Sequence, residues 1–394
     1  MKILAAMYTL RKGGAYDRFL MMVEALLEKG CEVHSLSLVP IRIEHPSYHN
    51  HFILFPFCRE KGWVAKSMTF LFFPFYGLLT GWREKIDLFV SFGPLYAFLQ
   101  AFPKWILKKP MVTFIRLDLM GFKKRDIFGF SNFLNRMMEY VGLLFTDRAL
   151  AVNTGIRQEI VETFGRRKKM EVEVLFNDIP EIKRSSSEDI SETRNHLGIR
   201  KQAKMLVTAG VLTPRKNIEV LLKSLSNLRG EDWFLLVIGD DSKDEISSYI
   251  SYLKALTRKL NLGDKVIFKE WVQKEELWRI LSAADLFVMP SIKEGMPNVM
   301  LEAIGCGVPC LGSNIPGIRD ILHHEILMFD PYHEESVAGR IRRFFSDIEY
   351  FNDVHKLCKE RKASFVFDWK EEVSYMVTKG IRSKGQRMQP GRFS

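Results

Sequence analysis

Two adjacent cations, Arg215 and Lys216, stand where a strand is predicted to give way to a helix. An apolar segment ends at Leu212, and helical apolar spacing begins near Ile218. An arginine fork and a lysine point charge at such a junction suit a diphosphate. A solvated turn is the alternative.

Two glutamates with seven residues between them lie at a second predicted junction between a strand and a helix. Glu294 precedes a loop shaped by Gly295 and Pro297, and Glu302 lies about one turn inside a helix predicted to begin near Asn298. Helical side chains tilt toward the N-terminus, so both carboxylates are expected at the same end of this helix. A helix N-terminus binds phosphate, and carboxylates accept hydrogen bonds from sugar hydroxyls. This pattern predicts a nucleotide-sugar site, with a capped helix and two solvated glutamates as the alternative.

Two further strand-end turns carry weaker signals. Gly13 and Gly14 follow the first predicted strand and would allow close approach of a ligand to the backbone at a helix N-terminus, although paired glycines are also common in ordinary turns. Asp240, in a Gly-Asp-Asp turn, says little by itself. We nevertheless count it among the candidate ligand-binding residues.

Strand-like and helix-like segments alternate along most of the chain. The predicted strands cover residues 2–7, 32–39, 87–92, 111–116, 148–153 and 171–176, and then 205–211, 233–239, 265–268, 285–289 and 308–312. Such alternation predicts an α/β fold, with parallel sheets covered by helices on both faces. In these sheets ligands bind outside the carboxyl ends of the strands, so two doubly wound halves facing each other would enclose a cleft.

The predicted domain boundaries follow the composition. We expect an N-terminal domain over residues 1–180 and a polar linker region over 181–200. A second domain follows over 201–366. The last segment, 367–394, is expected to form a helix packing back on the first domain, followed by a basic tail. A chain of 394 residues is long enough for two ordinary domains.

Composition excludes several protein classes. With 47% apolar and 27% charged residues, the chain is neither disordered nor fibrous. Its five cysteines form no dense framework, which favours a reducing compartment. Cys306 and Cys310 are read as buried apolar side chains rather than zinc ligands, because no second pair or histidine cluster accompanies them.

The basic charge is concentrated in the first half of the chain. Residues 1–180 hold 25 Lys and Arg against 17 Asp and Glu, and residues 52–125 combine 12 basic side chains with 18 aromatic ones. This pattern favours an anionic partner, whether a membrane face, a phosphorylated lipid or a nucleic acid. No RNA-binding signature or basic helix stripe accompanies the charge, so we expect no nucleic acid.

A ten-residue apolar run at Phe70–Leu79 has two interpretations. It is too short to span a bilayer, which needs about 20 apolar residues, and the N-terminus has no signal-peptide pattern. Pro74 is predicted to interrupt a regular helix there. Either the run is a buried helix, or it anchors the protein at a membrane interface beside Lys61, Lys66, Arg83 and Lys85. In the second case, a further basic cluster is expected to bind the same anionic surface: Lys104, Lys108, Lys109, Lys123, Lys124 and Arg125. We expect a cytoplasmic protein that is peripheral on the inner face of the plasma membrane.

The second half resembles the C-terminal domain of the retaining GT-B glycosyltransferases of glycosyltransferase family 4. The resemblance rests on the Arg-Lys pair, the two spaced glutamates, the segment from Leu301 to Pro309 and the loop from Ser313 to Asp320. The match follows the chain in order, and its motifs are close from about residue 205 to 321. It implies the GT-B fold, in which two Rossmann-like domains face each other across a cleft.

The resemblance implies a role for each matching residue. Arg215 and Lys216 would bind the diphosphate, Glu302 the ribose, and Glu294 the donor sugar near the reacting carbon. The remaining donor-binding positions would be Gly13, Gly14, Asp240, Val272, Gly295, Met296, Pro297, Asn298, Val299 and Met300. Of these, Val272 would help to seat the base. The catalytic set would be Glu294, Arg215, Lys216 and Asp118.

The implied reaction moves a sugar from a UDP- or GDP-sugar to a glycan or glycolipid acceptor of the cell envelope, lipid-linked or anionic. The anomeric configuration would be retained, with no metal ion and no cofactor. Two cations and a helix N-terminus would stabilise the leaving diphosphate. An anionic membrane surface is a further expected partner.

The sequence departs from the family pattern after the strand 111–116. Many family members carry a histidine there, whereas this chain has Arg116, Leu117 and Asp118. Asp118 would orient the acceptor or accept its hydroxyl proton, and Arg116 would hold an anionic acceptor. A structural ion pair between them is the alternative. Two rival functions also stay open: another GT-B enzyme such as a nucleotide-sugar epimerase, and a non-catalytic scaffold for a membrane assembly.

Overall fold

The computed structural model describes residues 1–7, 14–37, 40–52, 63–116, 130–165, 170–183, 185–228, 231–239 and 247–380. The chain forms two compact units of similar size. Unit 1 comprises Met1–Leu175 together with the chain from Asp368 onward, and unit 2 comprises Phe176–Phe367.

Unit 1 is built on a parallel sheet of seven described strands in the order β3-β2-β1-β4-β5-β6-β7. The strands are β1 (Lys2–Ala6), β2 (Glu32–Ser37), β3 (Tyr48–Phe52), β4 (Leu88–Ser91), β5 (Met111–Ile115), β6 (Arg148–Ala151) and β7 (Glu171–Val174). The helices are α1 (Gly14–Glu28), α2 (Trp63–Arg83), α3 (Pro94–Leu107), α4 (Phe130–Phe145), α5 (Thr154–Phe164) and, from the end of the chain, α14 (Trp369–Thr378).

Unit 2 contains a parallel sheet of six described strands in the order β10-β9-β8-β11-β12-β13. The strands are β8 (Lys204–Ala209), β9 (Trp233–Ile238), β10 (Val266–Lys269), β11 (Leu286–Met289), β12 (Cys310–Ser313) and β13 (Met328–Phe329). The helices are α6 (Ser187–His196), α7 (Ile218–Ser226), α8 (Ser247–Lys259), α9 (Lys274–Ala283), α10 (Asn298–Cys306), α11 (Pro316–Leu322), α12 (Glu334–Ser346) and α13 (Ile348–Ala363).

The inner strands are mostly apolar because helices cover both faces of each sheet. All four residues of β4 and all four of β11 are buried. Both sheets also have a point where the strand order reverses, between β1 and β4 in unit 1 and between β8 and β11 in unit 2. The predicted α/β class with two doubly wound parallel sheets is confirmed.

Three local predictions were wrong or incomplete. The strand β3 was not predicted, because Tyr48–Phe52 is too polar to read as a strand, yet it pairs in parallel with β2 at the sheet edge. Part of the predicted linker forms α6, which begins with a capping box between Ser186 and Asp189. Pro74 does not interrupt α2, which continues through it to Arg83.

Close packing explains why α2 tolerates its proline. Gly77 and Gly81 let α2 approach α3: a Cβ on Gly77 would lie 3.3 Å from Pro103, and one on Gly81 only 2.6 Å from Leu107. Packing along this seam offsets the hydrogen bond that Pro74 cannot make. None of the helices within the described ranges is long and apolar enough to cross a membrane.

The final helix, α14, is tied to the body of unit 1. Lys370 Nζ lies 3.1 Å from Glu24 and 2.7 Å from Glu28 of α1, and the guanidinium of Arg18 lies 4.8 Å from the centre of the Trp369 ring. Arg148 donates hydrogen bonds to the backbone carbonyls of Met376, Val377 and Lys379, which close the end of α14. These contacts place the end of the chain within the same unit as its beginning.

Candidate active site

The two adjacent cations lie at the carboxyl end of β8. A short 3₁₀ turn, Pro214–Lys216, leads from β8 toward α7, and Asn217 takes a left-handed backbone conformation (φ 53°) between them. The Asn217 side-chain amide donates a hydrogen bond of 2.7 Å to the carbonyl of Pro331, which holds the turn in place.

Glu294 lies beside these cations because β8 and β11 are neighbours at the point where the strand order reverses. Lys216 Nζ is 2.7 Å from Glu294 Oε1, and Arg215 Nη1 is 3.3 Å from Glu294 Oε2. The backbone is joined as well, since Ile292 donates its N–H to the carbonyl of Arg215 at 2.9 Å. In open parallel sheets this reversal point is the usual place for a ligand.

The environment keeps Glu294 ionised. Burial alone would raise the pKa of this carboxyl group, but the positive charges of Lys216 and Arg215 outweigh burial and hold the pKa below its ordinary value. Two cations face one carboxylate, so the pair of loops keeps a net positive charge that suits an anionic ligand.

Two glycines provide the space that this arrangement needs. Gly210 has a φ of 143°, and a Cβ there would lie 2.7 Å from the ammonium of Lys216. Gly317, at the start of α11, faces the backbone of the glutamate loop: a Cβ on Gly317 would lie 1.8 Å from the carbonyl oxygen of Gly295. A side chain at either position would displace a charged group or the loop itself.

Helix α10 begins directly after the glutamate loop. Pro297 stands at its N-cap position and makes no side-chain cap, while Glu302 lies half-buried about one turn further on. The first turn therefore presents backbone N–H groups and the positive end of the helix dipole on the same side of the loop as Glu294.

Asn177 is a further site residue that the sequence analysis did not identify. Its wholly buried side-chain amide donates to Asn298 Oδ1 at 2.7 Å and to the carbonyl of Met296 at 3.3 Å, while its backbone N–H lies 3.1 Å from the sulfur of Met296. It thereby fixes the loop that leads into α10. The only sequence signal was an Asn-Asp-Ile-Pro turn, from which no function was inferred.

The other predicted positions fall in different places. Met296, Pro297, Val299 and Met300 are buried around the start of α10, and Val272 is half-buried between β10 and α9. In unit 1, Gly14 is the exposed first residue of α1. Three predicted residues, Gly13, Asp118 and Asp240, lie outside the described residues, and so does the proposed ion pair of Asp118.

Arg116 immediately follows β5 in unit 1. Its guanidinium is half-buried and lies 5.6 Å from the centre of the Phe92 ring. Burial lowers the pKa of Arg116, and the positive charge of Arg18 lowers it further. The guanidinium groups of Arg116 and Arg18 therefore interact at the carboxyl end of this sheet.

Comparison with known proteins decides the class of the second unit. Residues 189–361 match the family described as glycosyl transferases group 1. Most of unit 2 therefore matches the glycosyl transferases group 1 family. The matched segment contains the cations, both glutamates and all of α10, so the predicted enzyme class, a glycosyltransferase, is confirmed.

Two curated relatives illustrate the sequence similarity. The chain is 26% identical over 272 residues to an uncharacterized glycosyltransferase of Methanocaldococcus jannaschii, covering 67% of each protein. It is 28% identical over 171 residues to the alpha-monoglucosyldiacylglycerol synthase of Streptococcus pneumoniae, covering 43% of this chain and 37% of the synthase. The alignments thus span from about a third to two thirds of these relatives.

Solved structures match over nearly the whole chain. The structure of Anabaena HepE in complex with UDP-glucose has a TM-score of 0.74 at 16% identity and covers 96% of this chain and 99% of HepE. WaaG, a glycosyltransferase involved in lipopolysaccharide biosynthesis, has a TM-score of 0.71 at 16% identity, covering 96% of this chain and 100% of WaaG. These likenesses show that the chain has the GT-B fold.

Proposed function

We propose that the protein transfers a sugar from a UDP- or GDP-sugar to a glycan or glycolipid acceptor of the cell envelope, with retention at the anomeric carbon. The observation that carries this proposal is the contact of Arg215 and Lys216 with Glu294 at the reversal point of the unit 2 sheet. The group 1 domain assigns this site to a sugar transferase, and the neighbours with UDP-glucose bound agree with a nucleotide-sugar donor.

In this proposal, some residues of the site bind the leaving diphosphate and others bind the sugars of the donor. Arg215 and Lys216, together with the N-terminus of α10, neutralise the charge that develops on the departing diphosphate, so the proposal requires no metal ion. The ionised Glu294 accepts hydrogen bonds from the sugar hydroxyls and Glu302 from the ribose. Asn177 keeps the loop between these two glutamates in the conformation that binds the donor.

Unit 1 supplies the acceptor side in this proposal. The half-buried Arg116 would bind an anionic group of the acceptor, such as a phosphate, by a bidentate contact. Relatives named for glycolipid and polysaccharide synthesis, such as the monoglucosyldiacylglycerol synthase, support an envelope acceptor. Gly13 and Gly14 keep the roles expected from the family resemblance. Asp118, where the sequence departs from the family pattern, would orient the acceptor or accept its hydroxyl proton.

The outer surface of α2 and α3, which we call the apolar face, supports a membrane location. Its exposed side chains are Leu71, Phe72, Phe75, Tyr76, Leu79 and Trp82 on α2 and Phe102, Trp105 and Ile106 on α3. The two helices form one continuous surface, because the rings of Phe75 and Phe102 lie 5.7 Å apart. Monomeric soluble proteins rarely expose so many large apolar side chains together.

Positive charge borders the apolar face and favours an anionic bilayer as the surface it meets. Arg83, Lys85 and Lys108 are exposed at the ends of the two helices. Three of the basic residues predicted to bind lipid have carboxylate partners: Lys104 lies 3.1 Å from Asp147, Lys109 lies 3.9 Å from Asp87, and Arg83 lies 3.5 Å from Glu84. The remaining basic residues predicted to take part, Lys61, Lys123, Lys124 and Arg125, lie outside the described residues, as does the side chain of Lys66.

A transfer assay with purified full-length protein tests the proposal. The protein is incubated with UDP- and GDP-sugars and with an extracted lipid-linked envelope fraction, and mass spectrometry follows the acceptor while a coupled assay follows the nucleotide. Sugar added to the acceptor, with one nucleoside diphosphate released per transfer, supports the proposal. Release of nucleotide without any sugar transfer favours an epimerase, and no turnover of any donor favours a scaffold.

A further inference from the structure

A cluster of three histidines and a glutamate occupies the sheet edge of unit 1, outside the group 1 domain. The parallel register of β2 and β3 sets His34 opposite His49. Side chains two residues apart on a strand share a face, so Glu32 and His34 on β2 lie on the same face as His49 and His51 on β3. This arrangement brings nitrogen and oxygen ligands together from two strands.

The spacing of these atoms matches that of metal ligands. Glu32 Oε1 lies 3.1 Å from His34 Nε2 and 3.6 Å from His49 Nε2, and the three ligand atoms all lie within 4.8 Å of one another. Ligands held about 2.0–2.2 Å from a tetrahedral Zn²⁺ are about 3.3–3.6 Å apart. The cluster therefore needs only small side-chain adjustments to enclose such an ion.

His51 provides the outer contact that orients a metal-binding imidazole. Its Nε2 lies 2.9 Å from His34 Nδ1, and the two rings are stacked with their centres 5.2 Å apart. His34 itself is 1% exposed, so its ring orientation is fixed. Histidine ligands of zinc commonly use their second ring nitrogen in such a hydrogen bond.

The protons in the cluster can be rearranged without being lost. In the tautomer of His34 that carries its proton on Nε2, this N–H donates to Glu32, and Nδ1 of His34 accepts from His51. When Nε2 of His34 binds an ion, Nδ1 of His34 becomes the donor and His51 the acceptor. Burial disfavours the charged form of both rings and lowers the pKa of His34 and of His51.

From this geometry we infer that Glu32, His34 and His49 bind a Zn²⁺ ion that links the edge strand β3 to β2, with water completing the coordination. The ion is structural in this inference and takes no part in sugar transfer. It would add to the side-chain hydrogen bonds that already join β3 to β2 at the sheet edge, such as those of Tyr48 with Ser35 and of Asn50 with Ser37.

The positive charge of Lys2 limits the zinc affinity of this site, so replacing Lys2 should increase that affinity. Its ammonium lies 2.8 Å from Glu32 Oε1, the same oxygen that would bind the ion. The Lys2 side chain is 37% exposed, so it can move into solvent when the ion enters. Replacing it by methionine removes the competing charge and should tighten zinc binding several-fold.

Zinc titration of the full-length protein tests the inference. Protein stripped with EDTA is titrated with zinc chloride by calorimetry in a buffer that does not bind zinc. We expect one ion per chain for the wild type, at least about tenfold weaker binding for His49→Gln, and tighter binding for Lys2→Met. His49 is 45% exposed, so its replacement should not unfold the protein. His333→Gln, beside Asp330 in unit 2, is the matched control and should bind like the wild type.

Zinc X-ray absorption then identifies the ligands. Nitrogen and oxygen at about 2.0–2.2 Å with imidazole scattering support the site, whereas sulfur at about 2.3 Å would place the ion on cysteines and overturn it. Equal zinc binding by the wild type and His49→Gln would also overturn the inference. Loss of zinc binding in His333→Gln would overturn it as well.

Discussion

Lys216 and Glu294 form an ion pair that is almost completely shielded from solvent: Nζ and Oε1 are 2.7 Å apart, and the two side chains are 9% and 8% exposed. Arg215 reaches the same carboxylate from outside, with 40% of its side chain exposed. The two cations therefore differ in function. Lys216 holds the carboxylate in place, whereas Arg215 remains accessible to an incoming diphosphate.

We expect Arg215→Ala to lower turnover by about 10²-fold or more while leaving folding intact, because it removes an exposed donor to the leaving group. Lys216→Ala should lower turnover at least as much. It should also destabilise the protein by about 3–5 kcal/mol, since a buried carboxylate loses its main partner. Steady-state assays and thermal unfolding measure the two effects.

Lys223→Ala is the matched control for these cation variants. Lys223 lies on the adjacent helix α7, and its exposed pair with Glu334 spans 3.0 Å. Exposed pairs of this kind contribute about 0–1 kcal/mol, so both turnover and stability should stay close to wild type. Near-normal turnover for Arg215→Ala and Lys216→Ala at saturating donor would remove diphosphate binding from this loop.

Substitutions of the two glutamates should have different effects on nucleotide binding and on turnover. Glu302→Gln is expected to weaken binding of the nucleoside diphosphate, because a ribose contact is similar in the ground and transition states. Glu294→Gln should reduce turnover more than nucleotide affinity, because its contact is with the sugar near the reacting carbon. Calorimetry with UDP and GDP, alongside steady-state rates, checks this, and equal losses of affinity in both variants would contradict the assigned roles.

Acid should erase the contribution of Glu294 to stability. Its pKa in the folded protein lies below the ordinary 4.5, so the unfolded chain binds its proton first as the pH falls. The stabilisation is present above that ordinary pKa and is lost as the pH falls through the lower folded value. The melting temperatures of wild type and Glu294→Gln should therefore differ most near neutral pH and converge once the pH falls below the lowered folded pKa. A constant difference at all pH values would show that ionisation of Glu294 does not matter.

Gly317→Ala should disturb the donor site from a distance. The new methyl group would overlap the carbonyl of Gly295, so the glutamate loop or α11 must shift, at a cost of about 1–3 kcal/mol. We expect at least about tenfold weaker donor binding with the fold retained. Gly339→Ala is the control, since a Cβ there meets nothing within 4 Å in α12. Wild-type donor affinity in Gly317→Ala would show that the loop does not depend on this contact.

Sequence alone could predict the charged parts of the site because they stand at strand ends, where the alternation of elements is easiest to read. It could not predict that Lys216 contacts Glu294, since 77 residues separate them and their meeting depends on β8 pairing with β11. Asn177 was not identified from the sequence as a site residue for the same reason. Its bonds reach more than a hundred residues along the chain to Met296 and Asn298.

The sequence patterns also could not predict the edge strand β3 or the exposed side of α2. Strand β3 has alternating histidines in place of the usual apolar residues, so only pairing with β2 identifies it. In α2 the composition is apolar nearly all round, which left a buried and an interfacial helix equally open. Packing decides between them residue by residue: Phe73 is fully buried, whereas Trp82 is 71% exposed.

The apolar face leads to the last prediction, that the protein binds anionic vesicles in a salt-sensitive manner. Each basic residue near an anionic surface adds about 1 kcal/mol, and buried apolar area adds about 25 cal/mol per Å². Trp82→Gln with Trp105→Gln should therefore weaken binding to anionic vesicles at any salt concentration. Lys85→Asn with Lys108→Asn should weaken it mainly at low salt. Asparagine suits these two positions because both backbones are left-handed, with φ of 53° and 52°.

Sedimentation with anionic and neutral vesicles measures this binding. Ile348→Gln is the control, because Ile348 is 70% exposed on α13 of unit 2 and lies outside the apolar face. It should sediment with vesicles like the wild type. Equal partitioning into both vesicle types, or none into either at low salt, would contradict a membrane role. In that case, the wild type is also tested for dimers that the two tryptophan substitutions dissociate. Such a result would show that the apolar face binds a second copy of the chain, because the exposed rings would then be buried between protomers.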